Sequence, residues 1–222
     1  MTWNVPNILT VLRLLAAPAL AVMFLYFSRP LADWFALILF VSAALTDFVD
    51  GYLARAWKQE SKFGAMLDPI ADKAMVLIAL LVIIGFSGVK AWILLPATMI
   101  FFREVFVSGL REFLGDKASQ LKVTNLAKWK TTAQMIAIAV LFSQGIFEHY
   151  LVMQSIGMDE EIIKNILNGA EEDYLGLGWK YVGWEWSYYS GIVLLWIAAA
   201  LTLITGWDYF VKALPFLKDD TK

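Results

Sequence analysis

The chain has 222 residues, of which 60% are hydrophobic and 17% are charged, and its mean hydropathy is +0.64. Soluble globular domains contain roughly 45–50% apolar residues, so this composition predicts an integral membrane protein. The sequence contains no cysteine, which excludes a disulfide framework and a thiolate metal site. Because no basic stripe interleaved with aromatic residues occurs, we expect no nucleic acid among its partners.

Six apolar stretches are each close to the roughly 20 residues that an α-helix needs to cross a bilayer. They predict transmembrane helices over 8–27, 31–55, 64–86, 89–114, 126–147 and 187–211. Lys and Arg concentrate on the cytoplasmic side of membrane proteins. Four of the 18 such residues fall on one side of the predicted bilayer, Arg29, Lys90, Lys164 and Lys180, and the other fourteen fall on the opposite side. The sequence therefore predicts an all-α membrane fold, one domain over 1–222 with both termini in the cytoplasm.

The first predicted helix carries a polar stripe. Asn7, Thr10 and Arg13 are spaced by three residues, which places them on one side of an otherwise apolar helix. Pro6 suits the first helical turn, where its missing N–H costs nothing. One interpretation is that the stripe faces an active site and contacts phosphate or nucleotide. The other is that Asn7 only caps the helix while Arg13 extends to the membrane surface.

Four aspartates flank a short polar loop between the second and third predicted helices. Asp47 and Asp50 share one helix face, and Asp68 and Asp72 share another. An antiparallel hairpin would bring both pairs together, and their mutual repulsion would then require a cation. Oxygen ligands without Cys or His select hard ions, so two Mg²⁺ or Mn²⁺ ions, with Ca²⁺ as a competitor, would suit phosphoryl transfer here. The alternative is that the aspartates are solvated caps or ion-paired surface residues.

The fourth and fifth predicted helices carry basic residues at the same end. Arg103 and Arg111 are about two turns apart and are expected to point the same way, and Lys128 and Lys130 begin the next helix. Together they predict a cationic pocket beside the aspartates and an acceptor that carries its own phosphate. Alternatively, Glu104 neutralises part of this charge and the lysines are only membrane-surface anchors.

Residues 148–186 form a long insertion between the fifth and sixth predicted spans. Asp159 is expected to cap a short helix in which four apolar residues share one face, Ile162, Ile163, Ile166 and Leu167. An aromatic belt follows, made of Trp179, Tyr181, Trp184, Trp186, Tyr188 and Tyr189. We expect an amphipathic element on the periplasmic surface that takes no part in the chemistry.

The pattern D-x-x-D-G-x-x-A-R, eight residues, then G-x-x-x-D-x-x-x-D is complete between Asp47 and Asp72. It resembles the signature of the CDP-alcohol phosphotransferases, membrane enzymes that join a CDP-activated group to an alcohol and release CMP. Residues 4–13, 103–112 and 128–134 are similar to the bacterial members whose acceptor is sn-glycerol 3-phosphate. The resemblance covers about residues 4–147, and the insertion departs from it.

This resemblance implies transfer of a phosphatidyl group from CDP-diacylglycerol to glycerol 3-phosphate, with Asp72 as general base and also as one of four aspartate ligands to two divalent ions. The implied CDP-lipid site contains Asn7, Thr10, Asp47, Asp50, Gly51, Ala54, Arg55, Ser61 and Gly64. The predicted acceptor-phosphate site contains Arg13, Arg103, Arg111, Lys128 and Lys130. The resemblance also implies a homodimer in the bacterial inner membrane, among membrane lipids, with its site facing the cytoplasm.

Two alternatives stay open. A related transferase could use serine, inositol, inositol phosphate or phosphatidylglycerol as acceptor. A transporter could also place acids and arginines within the membrane. The charges cluster at one depth and no inverted repeat is evident, which favours an enzyme.

Overall fold

The computed structural model describes residues 4–56, 61–121 and 125–217, and the side chains of 47–56 lie outside that description. The described chain forms seven α-helices and one short 3₁₀ helix and contains no β-strand. The α-helices are α1 (Val5–Tyr26), α2 (Leu31–Ala56), α3 (Lys62–Phe86), α4 (Ala91–Leu114), α5 (Asn125–Ser155), α6 (Glu160–Leu167) and α7 (Leu177–Leu217). The 3₁₀ helix, Gly115–Gln120, follows α4. The prediction of an all-helical fold is confirmed.

Five described helices are long and apolar enough to cross a membrane: α1, α3, α4, α5 from Lys128 onward, and α7. The apolar part of α2 within the described side chains, Leu31–Thr46, is shorter than these. Large apolar side chains cover the outer surface; Leu25, Phe102 and Phe113 are between 64% and 75% exposed. Such a surface is unfavourable in water, so the fold is that of an integral membrane protein.

Local signals in the sequence explain where the helices begin and end. Asn4 caps α1 by accepting a hydrogen bond from the backbone N–H of Asn7, and Pro6 lies in the first turn. Ser61 caps α3 in the same way through the N–H of Gly64. α4 ends at Gly115, whose φ of 53° is a conformation that glycine adopts without steric cost.

The helices on either side of the insertion are longer than the hydropathy pattern predicts. α5 continues to Ser155 and α7 begins at Leu177, so residues 148–186 include the end of α5 and the first turns of α7. At 1.5 Å per residue, α7 is about 60 Å long, roughly twice the thickness of a hydrocarbon core. The predicted aromatic belt lies in the first turns of α7, and the short predicted helix is α6. Asp159 occupies the N-cap position of α6, but its side chain makes no cap hydrogen bond.

The helices pack so that α3 lies near three neighbours at one end of the bundle. α1 packs against both α2 and α3, α5 packs along α7, and α4 packs on α7, while α3 also contacts α4 and α5. Fully buried alanines allow close helix approach at these contacts, namely Ala17, Ala36, Ala79, Ala97, Ala137 and Ala198. Larger side chains fill the centre of the core, among them Leu20, Phe40, Met75, Ile100, Ile138 and Leu195.

Candidate active site

The polar stripe of α1 contacts the first turns of α3. Thr10 Oγ1 donates to Asp68 Oδ1 at 2.7 Å, and Arg13 Nη1 donates to Asp72 Oδ1 at 2.9 Å. Arg13 is only 3% exposed, so it does not extend to the membrane surface. Both contacts advance in the same direction along the two helices, so α1 and α3 are parallel. The stripe therefore orients the two aspartates of α3.

A third contact closes the start of this interface. Ser61 Oγ donates to Asn7 Oδ1 at 2.8 Å while it also caps α3. Gly64 allows α1 to approach, because a Cβ atom at this position would lie 2.8 Å from Asn7 Oδ1. Gly64 and Asn7 thus face each other in the predicted CDP-lipid site.

Asp68 and Asp72 lie one turn apart on α3, and both are partly exposed. The Asp72 side chain is 42% exposed although Arg13 holds one of its oxygens. Two partly exposed carboxylates that each receive a hydrogen bond at Oδ1 form a donor set that fits Mg²⁺ or Mn²⁺. Among the described side chains, which do not include Asp47 and Asp50, no group of three metal-ligating residues occurs.

The other half of the predicted metal site lies at the end of α2. The α2 helix includes Asp47, Asp50, Gly51, Ala54 and Arg55, but the side chains at 47–56 are outside the described residues. The four-aspartate cluster and the nucleotide contacts of α2 therefore stay predictions.

A cavity of about 250 Å³ opens directly beside Asp72. Its polar walls come from α3, α4 and α5 and consist of Asp72, Lys73, Glu104, Arg111, Lys130, Thr131 and Gln134. Three of these side chains are cationic and two are anionic, and Asp72 is paired with Arg13 from outside the cavity wall. The cavity is therefore electropositive and suits an anionic ligand.

Glu104 organises the cations of this cavity. It is 7% exposed and accepts hydrogen bonds from Arg103 Nη1 at 3.0 Å and from Lys130 Nζ. Ser108, one turn along α4, accepts a hydrogen bond from Lys73 Nζ. Attraction to two cations offsets the desolvation cost of this buried carboxylate, which would be uncompensated for an unpaired charge. Lys130 is consequently held in the cavity wall by α4.

The structure separates the four basic residues that the sequence grouped together. Arg111 and Lys130 line the cavity, whereas Arg103 lies behind Glu104 and packs on Gly206 of α7. Eight residues along a helix leave an offset of about 80°, so Arg103 and Arg111 do not point the same way and only Arg111 reaches the cavity. Lys128 is exposed and does not line the cavity, because two residues along a helix point to nearly opposite sides.

The sequence reasoning did not single out Lys73. This lysine follows Asp72 directly and lines the same cavity. A signal was present, since an ionisable residue inside an apolar span faces the bundle interior and pairs with another group. The predicted site residues of α3 were Asp68 and Asp72, which share one helix face. Lys73 lies on the neighbouring face and points toward Ser108 of α4.

A second charged cluster lies at the opposite end of α1. Arg29, in the loop before α2, donates to Asp33 Oδ2 and Oδ1 at 2.8 and 2.7 Å, and Asp33 is fully buried. The hydrogen bond to Asp33 raises the pKa of Arg29 above its usual value, against the lowering effect of burial. Gln144 and Glu148 of α5 are hydrogen-bonded to each other in the same cluster.

The chain is similar to known proteins along most of its length. A model of the CDP-alcohol phosphatidyltransferase family matches residues 3–163. Three similar proteins are each named CDP-diacylglycerol–glycerol-3-phosphate 3-phosphatidyltransferase. The protein from Cereibacter sphaeroides is 64% identical over 99% of this chain and 100% of its own length. Those from Rickettsia bellii and Salmonella choleraesuis are 39% and 34% identical over 93% and 96% of both chains.

Proposed function

This chain belongs to the CDP-alcohol phosphatidyltransferase family, and we infer that it transfers a phosphatidyl group from CDP-diacylglycerol to glycerol 3-phosphate. The products are phosphatidylglycerol phosphate and CMP. The inference draws on relatives that match nearly the whole chain and carry the name of this reaction.

The observation that carries the choice of acceptor is the cavity beside Asp72. Lys73, Arg111 and Lys130 supply three positive charges within about 250 Å³, a space suited to a small phosphorylated alcohol. Charge-assisted hydrogen bonds to a phosphate are about twice as strong as neutral ones. An acceptor without a phosphate or other acidic group, such as inositol or glycerol, would leave Lys73 and Arg111 without an anionic partner among the described residues, which disfavours its binding.

In the reaction, a hydroxyl oxygen of glycerol 3-phosphate attacks the phosphorus atom that carries diacylglycerol. A P–O bond forms to the acceptor, the P–O bond to CMP breaks, and the hydroxyl proton passes to Asp72 as general base. Arg13 holds Asp72 Oδ1 and so orients the carboxylate at the cavity wall. We therefore assign Arg13 to the positioning of Asp72 rather than to direct phosphate binding.

The CDP-lipid would lie on the other side of Asp72, between α1, α2 and α3. Thr10 orients Asp68, and the contact of Asn7 with Ser61 closes the α1–α3 interface at the end where α2 and α3 are connected. Asp47 and Asp50 together with Asp68 and Asp72 would hold two Mg²⁺ or Mn²⁺ ions. When bound, these ions supply positive charge to the diphosphate and to the departing CMP.

We also propose that α2 is a sixth span and that both termini are cytoplasmic. At 26 residues α2 is long enough to cross a bilayer, and the distribution of Lys and Arg favours this orientation. The active site would then face the cytoplasm of the bacterial inner membrane, and α6 would lie on the periplasmic surface. A homodimer is expected by family resemblance.

The test is CMP release by the purified protein from CDP-diacylglycerol in mixed micelles with Mg²⁺ or Mn²⁺. Glycerol 3-phosphate is compared with glycerol, serine, inositol and inositol phosphate at equal concentrations. We expect release with glycerol 3-phosphate and little or none with glycerol, its uncharged counterpart. Equal release with glycerol would overturn the role of the cationic cavity, and release only with another acceptor would overturn the assigned reaction.

A further inference from the structure

The last helix, α7, contacts the basic residues of α4, although it lies outside the residues that the family model matches. The ring centroid of Tyr209 is 5.3 Å from the guanidinium carbon of Arg111. A Cβ atom on Gly206 would lie 2.8 Å from Arg103 Cγ, so only glycine allows this approach. Gly206 and Tyr209 are three residues apart and share one face of α7. A single face of α7 thus supports both arginines of α4.

Arg111 depends on this support because little else holds it. It is an exposed side chain in the last turn of α4, and within the described part of the chain it forms no ion pair with a carboxylate. A long, flexible arginine at such a site samples many rotamers, and a cation–π contact reduces that freedom. Tyr209 is 6% exposed, so its ring is itself fixed by the packing of α7.

The aromatic ring of Tyr209, and not its hydroxyl, makes the contact. The hydroxyl oxygen is buried and has no hydrogen-bond partner among the described residues. Replacing it with hydrogen therefore removes no bond in this part of the chain, and it relieves the cost of a buried unsatisfied group. Phenylalanine offers a similar ring face to a cation, whereas leucine offers none.

We propose that Tyr209 is a positioning residue for the acceptor: its ring directs Arg111 into the cavity, where Arg111 binds the phosphate of glycerol 3-phosphate. This proposal rests on the proposed function. Gly206 supports the other side of the same cavity, because Arg103 packs on it and holds Glu104, which in turn accepts the hydrogen bond from Lys130. Although α7 contributes no residue to the cavity wall, it thereby influences the affinity for the acceptor.

Steady-state kinetics of the full-length enzyme test this proposal, with each substrate varied while the other is saturating. Tyr209→Leu is expected to raise the KM for glycerol 3-phosphate about fivefold, within the range of one cation–π contact. The kcat and the KM for CDP-diacylglycerol should stay within about twofold of wild type. Tyr209→Phe should restore the wild-type KM. Trp207→Leu, on an outward-facing side chain that is 68% exposed, serves as the matched control and should change neither KM.

Two further measurements separate positioning from a general effect on the fold. In the Arg111→Gln background, Tyr209→Leu should add little further loss, because the side chain that it positions is absent. Phenylalanine analogues with increasing numbers of ring fluorines at position 209 keep the shape but weaken the ring quadrupole. The KM for glycerol 3-phosphate should rise stepwise along this series, which a purely structural residue would not produce.

The possible outcomes are distinguishable. If the wild type releases no CMP with glycerol 3-phosphate, the proposed function fails and this proposal fails with it. If the wild type is active but the fluorinated series has a constant KM, only the role of Tyr209 is overturned. An equal rise in both KM values, or a fall in kcat with the acceptor KM unchanged, would also overturn it.

Discussion

Two clusters of charged side chains lie at opposite ends of α1, and they arrange arginine and carboxylate groups in different ways. The cluster of Arg29, Asp33, Gln144 and Glu148 is called the outer cluster here. In it, Arg29 and Asp33 pair through two parallel hydrogen bonds within one helical turn. Only about 30 Å³ of space remains beside them. At the candidate active site the charges come from four helices and surround a cavity of about 250 Å³. The first cluster satisfies itself locally, whereas the second keeps three cations around open space.

This difference indicates what each cluster does. A bidentate arginine–carboxylate pair with no room for a ligand stabilises the contact between α2 and α5. A set of cations on separate helices, each held by one partner, can bind an anion without a large rearrangement. Ionisable residues within a membrane bundle are often functional, but the space beside them decides which ones are.

The largest expected effect on activity comes from removing the carboxylate of Asp72, and the matched change in the outer cluster is at Asp33. Asp72→Asn should lower kcat for CMP release about a thousandfold, because asparagine accepts no proton although it keeps an oxygen for Arg13. Asp33→Asn, the matched change at the outer cluster, should leave kcat and both KM values near wild type. It should instead lower stability by about 1–2 kcal/mol, because Arg29 loses one charged partner and is itself partly solvated.

Both variants are compared by CMP release and by thermal unfolding in the same detergent. Substantial residual activity in Asp72→Asn would argue against this residue as the base. A loss of activity in Asp33→Asn without a loss of stability would show that the outer cluster is not merely structural.

A smaller effect is expected from the cations of the cavity. Lys73→Gln should raise the KM for glycerol 3-phosphate about tenfold, the value of one charge-assisted hydrogen bond to phosphate, with the KM for CDP-diacylglycerol unchanged. Lys128→Gln removes the same charge from an exposed side chain outside the cavity and should have little effect. An equal effect of the two changes would mean that net charge, and not the position of Lys73, attracts the acceptor.

The outer cluster can be broken without removing any charge. A Cβ atom on Gly145 of α5 would lie 2.4 Å from both Arg29 Nη2 and Asp33 Oδ1, so Gly145→Ala must displace the pair. We expect a loss of about 1–3 kcal/mol in unfolding free energy with unchanged KM values. Gly85→Ala, at an open position near the same end, is the control and should be neutral or slightly stabilising. If Gly145→Ala unfolds no earlier than Gly85→Ala, the contact is not important for stability.

The contacts of α1 illustrate how much of this organisation the sequence carries. Helical spacing placed Asn7, Thr10 and Arg13 on one face, and that face contacts α3. The periodicity of one helix states which residues share a face, but it does not state which neighbour covers that face. Whether Arg13 reached the membrane surface or an aspartate could therefore be determined only from the packing of α1 on α3.

The same limit explains the basic residues. Arg103 and Arg111 differ by about 80° around α4, and this offset matters because both contact α7 but only Arg111 also lines the cavity. Tyr209 is nearly a hundred residues from Arg111 in the chain, and no local pattern relates them.

The lengths of α5 and α7 were underestimated for a different reason. Hydropathy reports where a helix leaves the hydrocarbon, whereas hydrogen bonding and side-chain packing continue both helices beyond it.

The smallest predicted effect concerns the start of α7, which contributes no residue to either charged cluster. Asp173 accepts hydrogen bonds from the N–H of Gly178 and of Leu177, at 2.8 and 2.7 Å, one on each carboxylate oxygen. These bonds lower the pKa of Asp173 below its usual value. Its contribution to stability is therefore present above the unfolded-state pKa of about 3.9 and is lost as the pH falls through the lower folded-state value.

Asp173→Asn keeps one acceptor oxygen and loses the other, so its unfolding temperature should be slightly below wild type at pH 7. The gap should begin to narrow as the pH falls below the unfolded-state pKa of about 3.9, and it should close below the lower folded-state pKa, where the wild-type carboxylate is protonated. Asp159→Asn is the matched control, since Asp159 has the N-cap position of α6 without the side-chain bond, and its unfolding temperature at pH 7 should stay near wild type. A gap of the same size at pH 3 and pH 7 would show that the charge of Asp173 does not stabilise α7. α7 also carries Tyr209 near its other end. If Asp173→Asn destabilises the first turn of α7 but leaves the KM for glycerol 3-phosphate unchanged, the two ends of this long helix act independently.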